Sequence, residues 1–144
     1  MKIRKTALAV SMSLLTIGGA TAVVSPAFAA ESGDPCGWDG YIETTDDNPG
    51  GKLCWAKDGD VIQAIDTDAD GKHAVAYVYK GTGDDKKLVY DFTAKTSGHS
   101  ETKRESMTGK YDLPEDSWYT VKICLGDSSS STKFCKSDKF YNKR

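Results

Sequence analysis

The apolar positions of this chain fall into short runs that alternate with polar ones, and the runs are separated by clusters of Gly, Pro, Asp, Asn and Ser. Alternation with a period of two marks strands that bury one face. Residues 52–57 form one candidate strand. Residues 60–66 form the next, with Val61 and Ile65 on one face and Ile62 and Ala64 on the other. Residues 74–80 hold Val75, Tyr77, Val78 and Tyr79, and residues 87–94 hold Leu88, Val89, Tyr90 and Phe92. β-Branched and aromatic side chains dominate these runs, which are too short for helices. A polar connection over 93–104 leads to a weaker candidate strand over 104–113. Residues 118–125 alternate most clearly, and 132–142 are their expected hairpin partner across the small, polar loop 126–131. No segment sustains a helical period. The pattern predicts an all-β chain, a small antiparallel β-sandwich of six or seven strands, Ig-like or fibronectin-like rather than a closed barrel.

The first 29 residues break this pattern. Lys2, Arg4 and Lys5 precede an apolar run over 7–24, and Ala27-Phe28-Ala29 supplies a small-x-small processing site. Residues 1–29 therefore read as a secretory signal peptide. The run carries Ser, Thr and Gly and ends at Pro26, which argues against a membrane anchor. The expected product is secreted, about 115 residues long and free of the membrane after cleavage. Residues 30–51 are rich in Gly, Pro and Asp and read as a polar N-terminal arm or loop, with Trp38, Tyr41 and Ile42 as anchors. Residues 52–144 form the sandwich domain.

Charge and cysteines narrow the picture. The formal charge of −2 becomes about −5 without the cationic leader, which argues against nucleic acid or anionic membranes as partners. All four cysteines, Cys36, Cys54, Cys124 and Cys135, follow the leader, and an even number in a small exported domain reads as a disulfide framework. Three pairings are available. Cys36 with Cys54 and Cys124 with Cys135 are favoured because each encloses a short loop. No C-x-x-C or His-rich spacing points to zinc.

The last hairpin carries a sharper inference. Tyr119, Val121, Ile123 and Leu125 share the buried face of 118–125, so Trp118, Thr120, Lys122 and Cys124 share the other. A disulfide from Cys124 to Cys135 then lies on the outer face beside Lys122, and Trp118 begins the solvated row. A large aromatic there is a surface candidate unless a loop or the sandwich edge covers it. Trp38 and Tyr41 in the arm are further candidate binding residues. Trp55 adjoins Cys54 and is expected to pack on that disulfide.

Other chemistry is thin. Asp66, Asp68 and Asp70 before Gly71 match the opening D-x-D-x-D-G of a calcium loop, yet position twelve falls on Tyr77 rather than on an acid. The segment reads as an acidic turn, a weak calcium candidate. His73 and His99 lie in expected turns; Ser97 and Ser100 flank His99, but no G-x-S-x-G or other nucleophile signature accompanies them. The paired acids Asp46-Asp47, Asp84-Asp85 and Glu115-Asp116 sit beside turn residues, and no glycine-rich phosphate loop is present. No cofactor is expected.

Two segments carry a resemblance. Residues 66–76 read D-x-x-A-D-G-x-H-A-V-A, and residues 121–137 read V-K-I-C-L-G-D followed by F-C-K-S. Together they resemble a group of small exported actinobacterial proteins with a leader, a β-sandwich and a Cys-bridged final hairpin, over most of residues 51–142. The resemblance implies that fold and export, and no activity. Lys72 precedes His73 where those relatives carry His-Ser directly after A-D-G, so no role passes to His73. The acid at Asp68 is not characteristic of the group.

The expected function is non-catalytic: a secreted protein-interaction module, an adaptor subunit of an extracellular assembly such as a toxin particle, or an inhibitor of an extracellular enzyme. The arm over 30–51 and the edge strands of a small sandwich both suit addition to a partner's sheet. A carbohydrate- or cell-wall-binding module is the alternative, and it requires Trp118 or Trp38 on an open platform. A small hydrolase is the third reading, and it requires His73 or His99 to meet a nucleophile and an acid.

Overall fold

A computed structural model describes residues 36–95 and 97–143. The leader and residues 30–35 of the arm lie outside the described residues. Eight strands are present: β1 (Gly40–Glu43), β2 (Gly51–Ala56), β3 (Val61–Asp66), β4 (His73–Lys80), β5 (Lys87–Ala94), β6 (Ser100–Lys103), β7 (Ser117–Ser128) and β8 (Ser131–Asn142). They form two antiparallel four-stranded sheets of order β1-β2-β3-β6 and β5-β4-β7-β8, packed as a β-sandwich.

The alternation read from the sequence decides which face is buried. From the first sheet Ile42, Leu53, Trp55, Ile62 and Ala64 enter the core, and Val78, Tyr90, Val121, Ile123 and Phe140 meet them from the second. Leu53, Ile62, Val121 and Ile123 are fully buried, each contributing about 1.5–3 kcal/mol relative to exposure. Val61 and Ile65 take the half-exposed face of β3.

Several expectations are corrected. The strand count is eight rather than six or seven, because β1 lies inside the segment read as an arm. Its four residues pair with β2, Gly40 opposite Trp55 and Tyr41 opposite Cys54. The Trp55 indole lies across Gly40 so closely that a Cβ there would collide with the ring. Phe140 stacks on the same indole at 6.0 Å, so Trp55 packs in the core and not on the disulfide. The strand expected over 104–113 is a series of turns; the fourth strand of the first sheet is instead the polar β6, Ser100–Lys103. Lys103 closes that edge, its ammonium 5.7 Å from the Phe92 ring and 5.4 Å from Tyr111. Strand order also departs from the Ig-like arrangement: β3 stays beside β2, where an immunoglobulin fold sends its third strand to the opposite sheet. Lastly, most of the expected loop 126–131 is strand, and only Ser129 and Ser130 turn the hairpin.

Both disulfides form as expected, Cys36–Cys54 and Cys124–Cys135. Each lies on the outer face of its sheet. A bulge makes the second one fit: Ile123 pairs with Lys136 and Leu125 with Lys133, so Phe134 and Cys135 together oppose Cys124. Phe134 takes the left-handed conformation, φ 54°, that this extra residue demands. Its carbonyl accepts a hydrogen bond from the Thr45 N–H at 3.0 Å, which ties the edge of the second sheet to the segment after β1.

Candidate binding face

The register of the second sheet builds its outer face row by row. Val75 stands opposite Cys124, Tyr77 opposite Lys122, and Tyr79 opposite Thr120. On the β8 side Ser137 opposes Lys122, Lys139 opposes Thr120, and Tyr141 opposes Trp118. Because successive side chains on one face are two residues apart, this face carries an aromatic row on β4 and an aromatic pair at the start of β7.

Two loops shape the face. The β7–β8 hairpin bends over one end, so that the Tyr77 hydroxyl donates to the Ser129 carbonyl at 2.7 Å. Val75, Tyr77 and Cys124 are buried beneath it in a small second core. At the other end the turn after β4 is held by two bonds, from the Gly81 N–H to the Trp118 carbonyl at 2.8 Å and from the Thr120 hydroxyl to the Gly81 carbonyl at 2.7 Å. Between them lies a groove of about 390 Å³ lined by Tyr79, Asp84, Lys86, Thr120, Lys122 and Ser137. Burial, with smaller contributions from Tyr77 and Asp91, pushes the Tyr79 hydroxyl above the ordinary tyrosine range, so it stays a hydrogen-bond donor.

Trp118 is 52 % exposed. Its indole stands edge-on to Tyr141, ring centroids 5.3 Å apart. One cross-strand pair from the groove, a second concavity of about 570 Å³ rounds the β8 edge and brings Tyr41, Trp55, Trp118, Phe140 and Tyr141 to its walls, with Asp39, Lys57, Asp138 and Lys139 beside them. The structure therefore places Tyr41 and Trp118 on one cleft. Trp38 is half-buried before β1 and is not part of that lining.

The remaining candidate residues are dispersed. Asp66 is buried, its Oδ2 3.9 Å from His73 Nδ1 and its Oδ1 accepting from the Asp68 N–H at 3.4 Å. Asp68 accepts from Asn48 at 3.4 Å, and Asp70 pairs with Lys72 at 3.4 Å. Each acid of the calcium candidate is thus engaged separately. A different trio, Asp60, Glu105 and Asp112, brings carboxylate oxygens within 4.8 Å of one another. Asp60 already has structural work there: Oδ2 accepts from the Leu113 N–H at 2.6 Å and Oδ1 from the Asn142 amide at 2.9 Å. Burial raises its carboxyl above the usual range, and these two hydrogen bonds oppose that rise. His99 is exposed, with Nδ1 3.3 Å from the Ser97 carbonyl.

Sequence reasoning found Trp118 by strand parity and missed the groove. Tyr79 meets Lys122 and Thr120 through the β4–β7 register, which joins residues some forty apart in sequence, and the turn between β4 and β5 brings Lys86 to Tyr79. Compared with known families, curated proteins and solved structures, the chain matches none.

Proposed function

We propose that this chain is a secreted, non-catalytic binding protein that engages its partner through the outer face of β5-β4-β7-β8. The observation that carries the reading is Trp118, half in solvent yet oriented by Tyr141, on a face that also carries tyrosines, hydroxyls, lysines and the acids Asp84 and Asp91. An exposed indole held by a neighbouring ring presents a large surface at little entropic cost on binding. The leader pattern at residues 1–29, the two disulfides and the resemblance to small exported proteins support secretion.

Of the two partner classes, a glycan suits this face better than strand addition by a protein. The β8 edge is bulged at Phe134 and carries Lys133, Lys136 and Lys139, devices that keep a sheet edge from pairing. The β1 and β6 edges offer four residues each, which leaves the eight-residue β5 as the edge open to strand addition. Open aromatic rings beside hydroxyl and charged groups are instead suited to the faces and edges of sugar rings. The protein reading, an adaptor or inhibitor, keeps one specific support: Leu88 is 51 % exposed in the same row as Tyr79 and adds apolar area to the face. The test is retention of the oxidised protein and of its Trp118→Ala variant on insoluble cell-wall polysaccharide and on extracellular proteins of the producing organism. Binding lost in the variant supports the face, and the retained species names the class. Equal retention of both forms would count against the face.

A further inference from the structure

The groove beside Trp118 contains two ammonium groups and one carboxylate. Tyr77 and Tyr79 stack on each other with centroids 6.2 Å apart and planes 20° from parallel. Lys122 Nζ stands 5.3 Å from the Tyr77 ring centre and Lys86 Nζ 5.7 Å from that of Tyr79. Lys86 also donates to the Gly83 carbonyl at 3.3 Å. The ion pairs among the described residues include neither lysine. Each ammonium is thus positioned on an aromatic face, half-buried, with no anion of its own.

We propose that this groove seats the carboxylate of an acidic sugar, so that the ligand of the face is a uronate-bearing polysaccharide. The proposal rests on the binding role assigned to the Trp118 face and specifies its ligand. A neutral sugar laid over the groove would take water from two cations and return no charge to them; a carboxylate compensates both. Asp84 on the wall leaves the lining one positive charge in excess, which a single carboxylate balances. Trp118 is two residues away on the same strand face, about 7 Å along β7, where it can cover the ring of an adjacent sugar. Ring stacking and a charge seat at this separation fit a charged polymer of rings.

The experiment is affinity electrophoresis and calorimetry of the oxidised chain with polygalacturonate, with the same polymer fully methyl-esterified, and with polyglutamate. Binding about fivefold tighter to the acid than to its ester is expected. That preference should vanish in Lys86→Gln/Lys122→Gln and should shrink with added salt in the unmodified protein, while the thermal midpoint stays put. Equal binding of acid and ester, both lost in Trp118→Ala, overturns the carboxylate seat and leaves the binding face standing. Tighter binding of polyglutamate, or no binding of either galacturonan, overturns the saccharide assignment; the face itself is judged separately by the Trp118→Ala retention test.

Discussion

The Asn142 amide donates to Asp60 Oδ1 at 2.9 Å across 82 residues of chain, joining the end of β8 to the turn before β3. The same amide donates to the Leu113 carbonyl at 2.8 Å, and the Leu113 N–H donates to Asp60 Oδ2 at 2.6 Å. Three segments are therefore closed over one end of the core by a single buried carboxylate, 3 % exposed. Asp60→Ala leaves two buried donors without an acceptor and should cost about 2–3 kcal/mol in urea unfolding. Asp58→Ala, exposed on the same turn, should stay within about 0.5 kcal/mol. Equal midpoints for the two variants would remove Asp60 from this role.

Tyr119 and Tyr90 are buried against the same carboxylate. Burial, reinforced by the Asp60 charge, pushes the Tyr119 hydroxyl up to about 12 and pushes Tyr90 further in the same direction. A native pKa above the unfolded value means the folded state holds its proton more tightly. The associated stability is intact below pH 10 and is lost as pH rises toward about 12. Absorbance at the tyrosinate band should show these two hydroxyls still protonated until the chain unfolds. Smooth ionisation of all seven tyrosines with near-UV circular dichroism retained would contradict this.

The Gly40–Trp55 contact predicts an asymmetric response to one methyl group. Gly40→Ala must displace an indole that is 4 % exposed and stacked on Phe140. A loss of about 1–3 kcal/mol with a red-shifted tryptophan emission is expected. Gly109→Ala meets open space and serves as the control.

Removing the Cys124–Cys135 bond should cost about 2–3 kcal/mol, since it closes a loop of 11 residues. Calorimetry of the Cys124→Ala/Cys135→Ala variant measures it. Peptide mapping without reduction should recover residue 36 linked to 54 and 124 linked to 135, and any crossed pair would contradict the fold.

What the sequence made legible follows from the range of the forces involved. Strands β2 to β5 and β7 announce themselves because each buries one face, and strand parity alone put Trp118 outside. β1 was hidden: Gly40-Tyr41-Ile42-Glu43 sits among turn residues and is a strand only because Trp55 covers its glycine and β2 supplies its hydrogen bonds. β6 was hidden for the opposite reason. It is polar throughout, a sheet edge whose one core contribution is the stem and ammonium of Lys103 over Phe92. The serine-rich hairpin end has poor strand propensity, and pairing to its own partner strand together with the Tyr77 hydroxyl overrides it. The groove depends on register between distant strands, which no local pattern encodes.

The decisive measurement is the comparison of the oxidised protein with Trp118→Ala on insoluble cell-wall polysaccharide, with thermal midpoints recorded for both. Trp118 is exposed and outside the core cluster, so the midpoints should agree within a few degrees while retention falls by about tenfold. Unchanged retention with unchanged stability would show that the Trp118 face is not where this protein binds.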